Sequence, residues 1–388
     1  MNLDDYLLHK NLSVPKILQA IRGSFELEPS DILFVSGSLV EGIGNEKSDI
    51  DLLLITSRTD LDYNACLNDI SVIVADCLID IRVVDHGELA ALLDRFQAWG
   101  AQPRNPRRAF EFVEDERKLL YRTKIGVPLV GVSDLRTLQD RIPARLLALH
   151  KLDWARHLAS TIQVDLAGFR NHDDGLSMLF AAQELLGHCM DALLAATGFV
   201  NPNTKWRTRY LSMLDDRFMS KLPGNNPYRN IVDLYLDYHR MPVETASQSA
   251  YEFALRIASF SRIAFPWAER TLLAAGDAPL SASLTCPPPS HGFRALLEHL
   301  DVDVEVRYEG GTFEMSRLNA AGPTVCLSDD AYRTVCLFDG KTRQDCVVSG
   351  SVVVEDIVNL VRFAKLQARP IVDEANLRKL LQAECVPS

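Results

Sequence analysis

A chain of 388 residues, 47% hydrophobic and 24% charged, can form two or three domains with buried cores and lacks the bias of disordered or collagen-like proteins. A formal charge of −11, with no run of lysine or arginine, argues against nucleic acid as a partner, because that partner calls for a basic stripe. No apolar run approaches about 18 residues, and Met-Asn-Leu-Asp-Asp-Tyr lacks the basic and apolar regions of a secretory signal, so a cytoplasmic protein with no membrane association is expected.

In chain order, the first informative element is Asp31 to Ser36, whose Ile32, Leu33, Phe34 and Val35 read as a short buried strand. Gly37-Ser38 comes next and is expected to open a short helix whose free N–H groups can hold a phosphate. Asp49 and Asp51 then stand one residue apart at the head of an apolar strand, Leu52 to Ile55. Strand side chains alternate, so both carboxylates point to one side while Ile50 and Leu52 point into the core. Such a pair is unfavourable unless a cation lies between its members. Carboxylate oxygens suit Mg²⁺, which usually takes phosphate oxygens as well. A third carboxylate stands in Leu78 to Val84, where Ile79, Ile81 and Val83 share one face and Asp80 and Arg82 the other. The interval between Asp51 and Asp80 leaves room for one helix and a return to the sheet.

An apolar strand, Gly-Ser, ten residues and Asp-Ile-Asp-Leu together resemble the signature of the DNA polymerase β-like nucleotidyltransferase superfamily. The resemblance implies two Mg²⁺ ions and a nucleoside triphosphate, ATP or another, as co-substrate. It implies that Asp49 and Asp51 bind both metals, that Asp80 binds one and can deprotonate the acceptor, and that Gly37 and Ser38 hold the triphosphate. One residue departs from the pattern: many members carry a basic residue where this chain has Glu41, before Gly42.

The expected catalytic domain, an α/β (α+β) fold with a mixed sheet, covers 1–135. Amphipathic helices are expected over 140–275 and resemble the bundle that walls the substrate cleft in kanamycin nucleotidyltransferase-like enzymes. In the clearest, Leu176 to Leu194, the residues Leu179, Phe180, Leu186, Cys189, Met190 and Leu193 recur at the period of one buried face, and Gly198 is the expected terminator. Glu184, His188 and Asp191 lie on another face, which reads either as solvated or as a source of a second candidate base, Glu184. The run Asn201 to Arg209 offers Lys205, Arg207 and Arg209 beside Trp206 for phosphate and ring contacts, or else a helix start with surface charges. Arg82 is a further phosphate candidate, with an ion pair to the acidic cluster as its alternative.

Residues 276–292, rich in Ala, Ser and Pro, read as a semi-rigid linker. Beyond it, 293–388 is expected to form a small α+β domain, of which a winged helix is one form. Its signals are a hairpin turning at Gly310-Gly311 and helices near Asp329 to Phe338 and Val353 to Ala368. The eight cysteines contain no Cys-x-x-Cys pair and read as reduced structural thiols. The functional expectation is Mg²⁺-dependent transfer of a nucleoside monophosphate, AMP from ATP foremost, to a hydroxyl of a small-molecule or peptide acceptor, such as an antibiotic or a biosynthetic intermediate. The alternatives are a nucleotidyltransferase that modifies proteins or makes oligonucleotides, and a binding protein that keeps the fold without transfer.

Overall fold

The computed structural model describes residues 1–58, 69–74, 77–214, 230–242, 246–273, 297–298, 302–318, 324–327, 329, 332, 341–342 and 371–372. The chain divides by contacts into two units, 1–147 with 200–206, and 148–199 with 207 onward.

The first unit contains, in order, α1 (Leu3–His9), α2 (Val14–Ser24), β1 (Ile32–Ser36), β2 (Ile50–Thr56), β3 (Asp69–Val74), β4 (Cys77–Asp85), α3 (His86–Gly100), α4 (Glu114–Ile125), β5 (Val127–Val130) and α5 (Val132–Asp140). Its five strands form one mixed sheet in the order β3-β4-β2-β1-β5. β2 and β4 run parallel, and the other neighbours are antiparallel. Alternation assigns the two faces. Leu33 and Val35 of β1, Ile50, Leu52 and Leu54 of β2, and Ile79, Ile81 and Val83 of β4 form one core with Tyr6 and Leu7 of α1 and Ile17 and Ile21 of α2. Asp51, Asp80 and Arg82 therefore fall on the opposite face, where α3 and α4 pack.

The three strands read from the apolar runs are present, each one to three residues longer than its apolar core. β3 is an added strand, paired with β4 as a hairpin, while most of the interval in which a helix is expected, 59–68, lies outside the described residues. The helix expected at Gly37-Ser38 does not form. Residues 38–42 make turns with one long i→i+4 hydrogen bond, Glu41 N to Gly37 O at 3.4 Å. Gly37 and Gly42, with φ of +83° and +73°, bracket the segment in the left-handed region, which a right-handed helix cannot pass through.

The second unit holds most of α6 (Ala144–Asn171), then α7 (Gly175–Ala196), α8 (Arg207–Leu211), α9 (Ile231–Tyr238) and α10 (Ser247–Leu273). After these come β6 (Leu297–Glu298), β7 (Val304–Glu309), β8 (Thr312–Arg317), β9 (Val325–Leu327), β10 (Lys341–Thr342) and β11 (Ile371–Val372). β6 pairs with β10, and the others form a sheet in the order β11-β9-β8-β7. α7 buries Leu179, Leu186, Cys189, Met190 and Leu193 as its period predicts. Phe180, expected with them, is 56% exposed, because it lies one helical step off that stripe, in line with the 55%-exposed Leu176.

β7 packs on α10, and buried polar groups join the strands to the helices. Arg156 of α6 donates to Glu269 of α10 at 3.0 Å and to the Val306 carbonyl at 2.9 Å. Arg262 donates to the Val304 carbonyl at 3.0 Å, Gln163 to the Val302 carbonyl at 2.8 Å, and the Tyr308 N–H to Glu269 at 2.7 Å. The expected linker 276–292 and most of the two helices expected after Asp329 lie outside the described residues. Cys77, Cys189 and Cys326 are buried free thiols.

Candidate functional site

The register aligns four polar residues across the first unit's sheet. Ser36 pairs with Asp51, Asp51 with Asp80, and Asp80 with Ser71, so all four stand on the face opposite the α1–α2 core. Asp49 lies just before β2 and is exposed, while Asp51 and Asp80 are half-buried. Asp80 Oδ1 accepts a hydrogen bond from Ser71 Oγ at 2.9 Å.

Gly37 is required here on two counts. Its φ is +83°, and a Cβ built on it would stand 2.2 Å from Asp51 Oδ2. The chain leaves β1 against the face of the Asp51 carboxylate, and only a residue without a side chain allows that approach. The next turn is closed by Ile43 N–H and Gly44 N–H, both donating to the Ser38 carbonyl at 3.0 Å.

Helix α4 supplies the cationic wall. Its Lys118, Tyr121 and Arg122, at i, i+3 and i+4, line a cavity of about 470 Å³ together with Gly37, Ser38, Asp49 and Asp51. Arg122 Nη2 lies 3.2 Å from Asp51 Oδ1, and Ser36 Oγ donates to the Arg122 carbonyl at 3.3 Å, fixing the end of α4 over β1. The segment 200–206 forms another wall with Asn201, Lys205 and Trp206. Two successive side-chain turns shape it, because Asn201 Oδ1 accepts from Asn203 N–H and Asn203 Oδ1 from Lys205 N–H. Lys205 Nζ sits 5.0 Å from the centre of the Trp206 ring.

Glu41, the departure from the superfamily pattern, has a defined place. Its carboxylate accepts from the buried Tyr121 hydroxyl of α4 and from Asn201 Nδ2 at 2.8 Å, tying the turn to both walls. The acid is a strut between backbone segments.

The Asp51 carboxyl is pushed above the usual carboxylate range, first by burial and then by the charges of Asp49 and Asp80, against the opposing pull of Arg122 and Lys205. Among the described residues, no three His, Cys, Asp or Glu side chains close around a common point as a ready-made metal cage. Asp49 and Asp51 nonetheless offer hard oxygen donors in a cavity with room for substrate oxygens, and their mutual repulsion is of the kind that a divalent cation relieves.

Gly37, Ser38, Asp49, Asp51 and Lys205 thus share one cavity, and Asp80 stands beside Asp51 in the sheet. Arg82 instead faces Asp115 of α4 at 3.7 Å, an ion pair whose partner lies outside the Asp49, Asp51 and Asp80 cluster expected to supply it. Glu184 is exposed on α7, in the second unit. Arg207, also in that unit, is committed to the buried Asp191, with Nη2 at 2.7 Å and Nε at 3.2 Å. Burial would raise the Asp191 carboxyl, but Lys151 and Arg207 hold it below its ordinary range. Arg207 is therefore a structural ion-pair partner and not a free phosphate ligand. Lys118, Tyr121 and Arg122 are absent from the sequence-based candidates, although their spacing on a helix with an acidic first turn is a readable polar stripe.

No family model matches the chain, and no curated protein matches it.

Proposed function

We propose that the first unit is a Mg²⁺-dependent nucleotidyltransferase that moves a nucleoside monophosphate, AMP from ATP foremost, to a hydroxyl of a small-molecule or peptide acceptor. The observation that carries this reading is the union, in one cavity, of Asp49 and Asp51 on a strand head, Gly37 moulded to Asp51, and the cations Lys118, Arg122 and Lys205. Carboxylates alone would suit a simple cation site, and cations alone an anion site. A polyphosphate carried with a divalent metal needs both.

In this reading Asp49, Asp51 and Asp80 hold Mg²⁺, which when bound stabilises the attacking and leaving oxygens of an in-line displacement, with two ions in the full form. Ser38, Lys118 and Lys205 bind the phosphate chain, and Trp206 offers a ring for stacking. The acceptor oxygen forms its bond to the α-phosphorus as the bond to the β-phosphate oxygen breaks, and pyrophosphate leaves. Asp80 takes the acceptor's proton.

Incubating the purified protein with ATP, Mg²⁺ and panels of aminoglycosides, other hydroxylated metabolites and peptides, with mass spectrometry of the products, tests the reading. An acceptor gaining the mass of AMP, with loss of the product in Asp49→Asn/Asp51→Asn, supports it. Binding of ATP that is indifferent to both carboxylates overturns it.

A further inference from the structure

Arg122 has a specific placement that nucleotide transfer alone does not explain. Its backbone is pinned by Ser36 Oγ at 3.3 Å, and its guanidinium reaches Asp51 Oδ1 at 3.2 Å while remaining about 29% exposed. Both partners line the same cavity. A divalent cation held by Asp51 would draw on the same carboxylate charge and would repel this guanidinium, so the two compete for Asp51. The guanidinium's planar fork also matches phosphate oxygens, which a triphosphate would bring to that place.

We propose that Arg122 is an exchangeable counter-ion: it neutralises Asp51 in the unliganded protein, yields Asp51 to the divalent cation, and then holds a phosphate of the nucleotide. The proposal rests on the nucleotidyltransferase reading. Metal alone then binds at a disadvantage, because it leaves a guanidinium without its partner, and nucleotide removes that disadvantage by supplying a new one. Metal and nucleotide thereby favour each other through one side chain.

The test measures Mn²⁺ binding by electron paramagnetic resonance of the full chain without nucleotide, and separately binding of an α,β-methylene ATP analogue with Mn²⁺ at saturation. Arg122→Met should bind Mn²⁺ about two- to fivefold more tightly, the worth of a half-exposed ion pair, and bind the analogue about tenfold or more weakly. Should this variant fail to fold, Arg122→Gln carries the same expectations. Unchanged or weaker Mn²⁺ binding, in a protein whose Mn²⁺ site is lost in Asp49→Asn/Asp51→Asn, overturns the exchange while leaving the nucleotidyltransferase reading standing. Mn²⁺ binding equal in wild type and the double carboxylate variant overturns both.

Discussion

Replacing Gly37 with alanine probes the contact on which the cavity is built. Two costs can be separated. A residue with a Cβ at φ +83° carries a left-handed penalty of about 1–2 kcal/mol. The new methyl would also meet Asp51 Oδ2 at 2.2 Å and its Cγ at 3.0 Å, so the carboxylate must swing away. That movement breaks the Arg122 pair, a partly exposed interaction worth about 0.2–1 kcal/mol. Together these predict a loss of about 1–3 kcal/mol in chemical denaturation, with Mn²⁺ binding lost because Asp51 has left its place. A double-mutant cycle isolates the second cost. In Asp51→Ala only a Cβ at 3.2 Å remains, so Gly37→Ala should cost about 0.2–1 kcal/mol less there than in the wild-type background. Equal cost in both backgrounds would show that Asp51 is not the neighbour that demands glycine.

Asp51 should also leave a mark on pH dependence. Because its carboxyl is raised, first by burial and then by Asp49 and Asp80, its stabilising contribution is present below about pH 4 and lost as pH rises through the raised value. In metal-free buffer Asp51→Asn should therefore become more stable than wild type as pH rises from about 4 to about 7, and parallel denaturation curves for the two proteins across that range would refute this. Glu41→Lys, which installs the charge common in the superfamily, should destabilise more than Glu41→Gln, because an ammonium cannot accept from Tyr121 or Asn201; the loss expected is about 1–3 kcal/mol. A Glu41→Lys protein as stable as wild type would mean that the strut is unimportant.

The sheet strands and carboxylates were readable because their information is local: period-2 alternation in Leu78 to Val84 and the apolar run Ile32 to Val35 mark buried strands, and Asp49-Ile-Asp51 places two acids on one face. β3 escaped although Ile70, Val72 and Val74 alternate with Asp69 and Ser71, because the exposed Ile73 blurs that pattern in a short segment, and its edge position comes from pairing with β4 rather than from its own residues. The fates of Arg82 and Arg207 were undecidable for a different reason. A basic residue is equally apt for phosphate and for carboxylate, and only the third dimension shows that Asp115 and Asp191 stand opposite them. Arg122 was hidden by the same ambiguity. Glu41 shows the converse: a residue that reads as a poor phosphate contact is a good acceptor for Tyr121 and Asn201, a role set by groups 80 and 160 positions away.

A proline-rich stretch at 276–292 invites cutting the chain there, but a linker in sequence does not make the strands beyond it independent. Arg156 and Glu269 are 2% and 0% exposed, and each spends hydrogen bonds on the backbone of β7, as does Arg262, while Gln163 bonds the Val302 carbonyl just before that strand. Removing the strands would leave two buried guanidiniums and an amide without the Val302, Val304 and Val306 carbonyls. A buried charge that loses a partner costs about 3–5 kcal/mol, enough to consume much of an ordinary domain's stability. A chain ending near Ser283 is therefore expected to aggregate or to melt well below the full protein, while Arg156→Met with Glu269→Leu, which removes the charges together, should tolerate the same truncation better. If the shortened wild-type chain instead remains monomeric with an unchanged melting temperature, the polar contacts between the strands and α6 and α10 contribute little, and the strands are an appendage rather than a layer of the second unit's core.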